Sequence, residues 1–484
     1  MAYTLDPALQ SLPVDSNLLT ISRRIAAKDA SIWIEDSEAP TRLGWVDLAE
    51  RSRALLPVLD ALEARMRDAG VERVILSGMG GSSLAPEVIA RTYKSEASRE
   101  LILLDSTEPN FVDSVVTDRL EKTFFVISSK SGTTIETISH LALIQARLLE
   151  AGLELGNHIL VITDPDSPLL SFARENGLSH LEGDPNVGGR FSALSVFGLA
   201  PAALIGIDPS QLLDDASEMM DSIHENAVRL ATYLAPHRYA YFADSESSLP
   251  GLADWIEQLI AESTGKHGKG ILPIALSDIN DRLDLLTVDL ARVIDAPLGA
   301  HFILWEWVTA LLGYIYEVDP FDQPDVQATK TRTLEALADS STVASSHSNI
   351  STSDLKPQLE SALADREYIA ICAFLDPLRY PEIGSIRHAL EKLFKKPVTF
   401  GWGPRFLHST GQFHKGGPKS GVFLSITMSC DVDVAIPGKD YGFDRLLRAQ
   451  ATGDRLALLE SGNPVISVHL RNSRELQELI SNFS

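Results

Sequence analysis

Cysteine is nearly missing from this 484-residue sequence: Cys372 and Cys430 stand far apart, with no Cys-x-x-Cys spacing. That usage excludes a disulfide-stapled scaffold, gives no thiolate metal cluster and fits a reducing cytosol. Positive charge is also short, with 42 Lys plus Arg against 66 Asp plus Glu and a formal charge of -24. Nucleic acid and anionic membranes are bound through basic surfaces, so neither is an expected partner. No uninterrupted apolar run reaches the roughly 18 residues of a bilayer span. The opening stretch MAYTLDPALQSLPVD lacks the basic-then-apolar layout of a signal peptide. The expectation is a soluble cytoplasmic protein.

What is present is an apolar share of 44%, ample for real cores. At roughly 150 residues per domain the length allows about three. Residues 1–70 read as a helical segment, with apolar residues at helical spacing from Asn17 to Ala27 and again from Leu48 to Met66. Strand-length apolar runs then alternate with helical stretches: Val71–Leu76, Leu101–Asp105, Thr123–Ser128 and His158–Thr163. Such alternation predicts an α/β fold with a parallel sheet and crossover helices over 71–214. A second block, 215–338, carries predicted strands at Tyr239–Ala243 and Gly270–Leu276 and helices around Leu252–Thr264 and Phe302–Tyr316. Ser340–Asp354 is rich in Ser and Thr and reads as a linker. A third α/β block, 339–484, shows strand-like runs at Tyr368–Phe374, Val398–Trp402, Gly421–Met428 and Val465–Leu470.

Chemistry concentrates at the ends of the predicted strands. The run Phe124–Ser128 leads into Ser129, Lys130, Ser131, Gly132, Thr133, Thr134 and Thr137, with a helix behind them. Unpaired N–H groups and the positive end of the helix dipole suit a phosphate there. A merely well-capped turn would use Ser and Thr only to satisfy the helix. The turn Gly78-Met-Gly-Gly-Ser-Ser83 also follows a strand, but it is neither a P-loop nor a dinucleotide fingerprint. Two such turns at the carboxyl ends of parallel strands would line one crevice. Further on, Gly188 and Gly189 precede Arg190, whose fixed charge suits a developing oxyanion. Glu262 falls in the last turn of a helix, where a carboxylate is mildly unfavourable and invites a functional reason.

SKSGTTIET, with GMGGSS before it and GGRFS, AESTGK and FDQPDVQATK after it, resembles the glucose-6-phosphate isomerase family, motif by motif and in order from Gly78 to Lys330. The likeness is to the isomerase half of bacterial transaldolase/glucose-6-phosphate isomerase fusions, and it extends through GPRFLHSTGQFHKGGPKSGVF in the third block. The resemblance implies SIS-type three-layer αβα sandwich domains with parallel sheets, two main ones plus the third block. It implies interconversion of glucose 6-phosphate and fructose 6-phosphate through an enediolate, with no metal and no organic cofactor. Glu262 matches the family's base and Arg190 the arginine beside the enediolate. Ser129, Lys130, Ser131, Thr134 and Thr137 match its phosphate loop, and Gly81, Ser82 and Gly189 match turns close to the sugar. Gln323 and Lys330 match residues near the ring end. His301, in Gly299-Ala-His-Phe302, matches the ring-opening histidine by order, with Lys330 or water as the alternative acid–base. A homodimer is the family's expectation, and a functional link to a separate transaldolase chain is open.

The overall charge repels a dianionic substrate, so Lys130, Arg190, Lys266 and Lys330 are the cations expected to focus it locally. Arg405, His408, His414 and Lys415 form a polar, partly basic segment that either reaches a neighbouring subunit's site or stabilises a loop. Two other functions remain open at this level: a dual glucose/mannose 6-phosphate isomerase, and a non-catalytic sugar-phosphate sensor. The first 70 residues lack the basic helix-turn-helix such a sensor would carry.

Overall fold

The structure is a computed structural model describing residues 3–34, 37–276, 283–338, 351–430 and 432–483. Its strands form where apolar runs are bracketed by turn residues. β1 (Arg73–Ser77), β3 (Thr123–Ser128) and β4 (Ile159–Thr163) are buried along their whole length, as parallel strands covered on both faces must be. β2 (Glu100–Leu104) and β5 (Ser179–Glu182) complete an all-parallel sheet of order β2-β1-β3-β4-β5. Successive residues enter opposite cores. Val74, Leu76, Phe124 and Val126 pack with helices Leu56–Asp68 and Leu84–Thr92, while Ile75, Phe125 and Ile127 pack with Pro109–Thr117 and Ile135–Glu150. The result is the expected α/β/α layering.

β5 has no counterpart in the sequence reading. Ser-His-Leu-Glu contains no apolar run, because an edge strand with half-exposed positions needs none. The stripe from Leu48 to Met66 is likewise not one helix. It breaks into Leu48–Arg51, a 3-10 turn at Ser52–Leu55, and Leu56–Asp68. Pro57 explains the restart, since it has no N–H to continue the preceding turn and is favoured in the first turn of a new helix. The Ser/Thr-rich linker lies outside the described residues from Ser340 to Ile350, and Thr352–Asp354 forms a 3-10 turn.

The second sheet is β7-β6-β8, built from β6 (Tyr239–Ala243), β7 (Leu272–Leu276) and β8 (Thr287–Asp289). The third is β10-β9-β11-β12, from β9 (Tyr368–Phe374), β10 (Val398–Trp402), β11 (Gly421–Met428) and β12 (Val465–Leu470). Both are parallel. One face of the third sheet, with Tyr368, Ala370, Cys372 and Phe374, shares a core with Tyr241, Leu272 and Ile274 of the second. The third block therefore packs onto the second sheet, not out on the linker.

Strand order reverses between β1 and β3, because β2 lies to one side of β1 and β3 to the other. The carboxyl ends of these neighbours flank the crevice where open parallel sheets take ligands.

Helix Leu298–Tyr316 is long and apolar enough to cross a membrane by length and composition, but 89% of that span is buried inside the fold. A helix apolar on all sides belongs to the interior. It carries Glu306, 1% exposed, with neither carboxylate oxygen partnered among the described residues. Burial pushes the Glu306 pKa well above its ordinary 4.5. The folded chain thus keeps a proton that the unfolded chain releases, so the contribution to stability is full below that ordinary value and declines as pH rises. Glu306→Gln should flatten the fall of Tm as pH rises above the ordinary carboxylate range. Thermal melts with equal slopes for the two chains would refute this.

Candidate active site

Helix Ile135–Glu150 starts behind β3 with Thr134 at its N-cap, yet the Thr134 side chain does not cap it. The Thr134 hydroxyl pairs instead with Ser129 Oγ at 2.9 Å, and Ser131 Oγ pairs with Thr133 Oγ1 at 3.0 Å. The hydroxyls are organised among themselves and leave the helix N–H groups to another acceptor, unlike a well-capped turn. Gly132 makes the turn possible. Its φ is +67°, and a Cβ there would lie 2.9 Å from that of Ser167.

The turn after β1, Gly80–Ser82, meets the turn Gly189–Phe191 at the crevice. A Cβ on Gly81 would fall 2.1 Å from the Gly189 carbonyl oxygen, so the contact exists only because residue 81 has no side chain. That contact places Arg190, 5% exposed, under the crevice. Its Nε donates to Ser263 Oγ at 2.8 Å, and Nη2 donates to the carbonyls of Pro320 and Asp322, each at 2.7 Å. The third nitrogen, Nη1, lies 3.4 Å from Glu262 Oε1. Three fixed acceptors thus orient the guanidinium and present its remaining edge to one carboxylate.

Glu262 is 6% exposed, in the last turn of helix Leu252–Thr264. Gln258, one turn earlier on the same face, donates to Glu262 Oε2 at 3.3 Å. Burial raises the Glu262 pKa, and the charge of Arg190 opposes the rise without cancelling it. The carboxylate is therefore a stronger base than one in water.

Gly81, Ser82, Ser129, Lys130, Ser131, Thr134, Gly189, Arg190, Glu262, Gln323 and Lys330 all line one cavity of about 670 Å³. That volume lies within the roughly 300–1,000 Å³ of small-molecule sites. Gln323 and Lys330 are exposed on its outer wall, Lys330 from helix Val326–Ala338. Two expected residues are elsewhere. Thr137 is fully buried, its Oγ1 lacks a partner among the described residues, and it does not line the cavity. His301 does not line it either. It is 1% exposed within helix Leu298–Tyr316, its Nδ1 accepts from Trp305 Nε1 at 3.3 Å, and burial lowers its pKa to about 4. These are the surroundings of a core histidine, because the helical register that buries Phe302 and Trp305 carries His301 inward too.

The expected focusing cations are also largely engaged. Lys130 Nζ donates to Asp164 Oδ2 at 2.5 Å and to the Asp184 carbonyl at 3.0 Å. Lys266 is fully buried, ion-paired with Asp322 at 2.6 Å, and burial lowers its pKa to about 8. Arg42, with no motif to flag it, lines the cavity beside Glu38.

The polar segment of the third block divides by role. Arg405 pairs with Glu87 and, at 3.1 Å, with Asp105, both from the first block. Lys415 pairs with Asp454 at 2.7 Å, and His414, 3% exposed, lies among Tyr368, Phe406 and Phe423. Those three residues hold structure together. His408 lines the cavity of its own chain, as do Glu136, Gln258 and Gln450. The sequence assigns no site role to the last three. Glu136 lies inside the SKSGTTIET motif and Gln258 one turn before Glu262, which were the available signals; His408 and Gln450 arrive from more than 250 residues away.

Residues 65–267 match the family model described as phosphoglucose isomerase. The chain is 35% identical to glucose-6-phosphate isomerase of Thermus thermophilus, over 62% of this chain and 91% of that one. It is 30% identical to the Campylobacter jejuni glucose-6-phosphate isomerase, over 54% and 67%. A solved structure of a glucose-6-phosphate isomerase from Chlamydia trachomatis superposes with a TM-score of 0.49 at 15% identity, over 71% of this chain and 86% of that one. By its relatedness to the Thermus and Campylobacter enzymes, the chain belongs to the glucose-6-phosphate isomerase, or phosphoglucose isomerase, family.

Proposed function

We propose that this chain interconverts glucose 6-phosphate and fructose 6-phosphate. The observation that carries the reading is a buried carboxylate and guanidinium, 3.4 Å apart, in the same cavity as a helix N-terminus that its own N-cap side chain does not cap. In this reading the phosphate accepts from the N–H groups and hydroxyls around Ser129, Ser131 and Thr134. Its binding energy holds C1 and C2 over Glu262, remote from the phosphate itself. Glu262 removes the C2 proton of the open-chain aldose to leave an enediolate, a proton passes from O2 to O1, and Glu262 returns its proton to C1, which converts aldose to ketose with no net loss of atoms or charge. As the proton leaves, negative charge grows on the adjoining oxygens, and Arg190 is already oriented to stabilise it.

Two substitutions test the reading in a coupled assay, with fructose 6-phosphate supplied and glucose 6-phosphate read by a dehydrogenase. Glu262→Gln should lower kcat by about 10²–10⁴ while leaving the sugar-phosphate dissociation constant nearly unchanged. An unaltered kcat would remove Glu262 from the reaction. Gly81→Ala must push apart the turns that now touch at Gly189, and a displacement near 1 Å should cost about 10² in kcat/KM. Full activity in a folded Gly81→Ala chain would show that the turn does not position the sugar.

A further inference from the structure

One cationic side chain at the cavity comes from outside every motif. Arg42 belongs to the N-terminal segment, at the end of the short turn Ala39–Thr41, and lines the cavity together with Lys130, Ser131 and Asp164. Its surroundings are pinned on two sides. Leu43 pairs with Val187 in an isolated bridge, and Gly44 N donates to the Asn186 carbonyl at 2.9 Å. Arg51 joins the same junction, donating to Asp184 Oδ2 and to the Gly44 carbonyl, each at 2.6 Å. On the other side, Glu38 N donates to Asp319 Oδ2 at 2.6 Å, one residue before the Pro320 carbonyl that holds Arg190.

The Arg42 guanidinium is oriented without being used up. Nε donates to Glu38 Oε2 at 2.8 Å, and Nη1 donates to the Pro185 carbonyl at 2.7 Å. A guanidinium carries five N–H donors, so most of the fork is unspent. Nη2 has no partner among the described residues, and the side chain is 29% exposed, so this edge is not sealed in the core. The Arg42 charge also reaches the phosphate loop: it disfavours the ammonium form of Lys130 and favours the ionised form of Asp164.

Docking alone does not account for this arrangement, because the Leu43 bridge, Gly44 and Arg51 already hold the N-terminal segment to the turn that carries Arg190. Lys130, the cation of the phosphate loop itself, is spent on Asp164 and the Asp184 carbonyl. A phosphate dianion on that loop therefore calls for a cation from elsewhere, and the planar fork of an arginine matches two phosphate oxygens. We propose that Arg42 binds the 6-phosphate of the substrate through its Nη1–Nη2 edge, while Glu38 and the Pro185 carbonyl hold the plane of the guanidinium. The inference rests on the function proposed above, and it makes the N-terminal segment a contributor to the binding site.

The test compares the unaltered chain with Arg42→Gln and Glu38→Gln. Turnover of fructose 6-phosphate is one readout; calorimetric binding of fructose 6-phosphate and of inorganic phosphate is the other. Arg42→Gln should weaken both probes in parallel by about 10–100-fold, while kcat at saturation changes by less than about threefold. Glu38→Gln keeps an acceptor for Arg42 Nε and removes a negative charge from the cavity, so both probes should bind at least about twofold tighter. Inorganic phosphate bound by Arg42→Gln within about threefold of the unaltered chain overturns the assignment, whatever happens to kcat, because Arg42 would then only support the turn beneath it. If Arg42→Gln does not fold, Glu38→Gln decides, and unchanged or weaker phosphate binding overturns the assignment. Absence of turnover in the unaltered chain overturns the isomerase reading, while the phosphate titrations still decide the role of Arg42.

Discussion

Burying Glu262 beside Arg190 sets the terms for everything around it. A carboxylate with 6% exposure would discharge by taking up a proton unless a positive charge met it, and a lone buried guanidinium would be equally costly. The pair satisfies both at 3.4 Å, a separation that leaves the carboxylate shifted upward in pKa. Arg190 cannot swing away, since Ser263 and the carbonyls of Pro320 and Asp322 hold its other nitrogens. Those two carbonyls lead directly into Gln323 and the helix bearing Lys330. The outer wall of the cavity is thereby tied to the same guanidinium as its floor.

A chain with net charge -24 must still admit an anion. Much of the cationic charge near the cavity is spoken for by Asp164, Asp322 and Glu262. What remains for an anion, besides the open edge of Arg42, is Lys330 on the outer wall together with fixed dipoles: the N-terminus of helix Ile135–Glu150 and the hydroxyls of its loop. Such a site works at short range, and screening over about 8 Å at physiological salt keeps distant acidic residues from cancelling it. The reversal of strand order between β1 and β3 is what opens the space for it.

The third block closes the arrangement. Its sheet shares a core with the second sheet, its Arg405 enters a pair of first-block carboxylates, and its His408 and Gln450 meet Glu136 in the cavity. The cavity is thus walled by residues from all three α/β blocks of one chain.

Much of this was legible in the sequence, for local reasons. Apolar runs such as Phe124–Ile127 mark strands covered on both faces, and Gly, Ser and Thr clusters after them mark turns that can approach an anion. The motifs around Ser129, Arg190, Glu262 and Lys330 could therefore be located by type and spacing alone. The edge strand β5 could not, because half-exposed pairing leaves no apolar signature. Nor could the fate of the histidines be read locally: His301 and His408 are each one imidazole in an ordinary flank. Helical register drives the first into the core, and docking of a distant turn brings the second beside Glu136. Residue type and local periodicity decided the strands, the glycine turns and the acid and base available. Which side chains share one cavity, and which cations stay free to face it, depended on burial and on contacts between residues hundreds apart, and those exist only once the three sheets have packed.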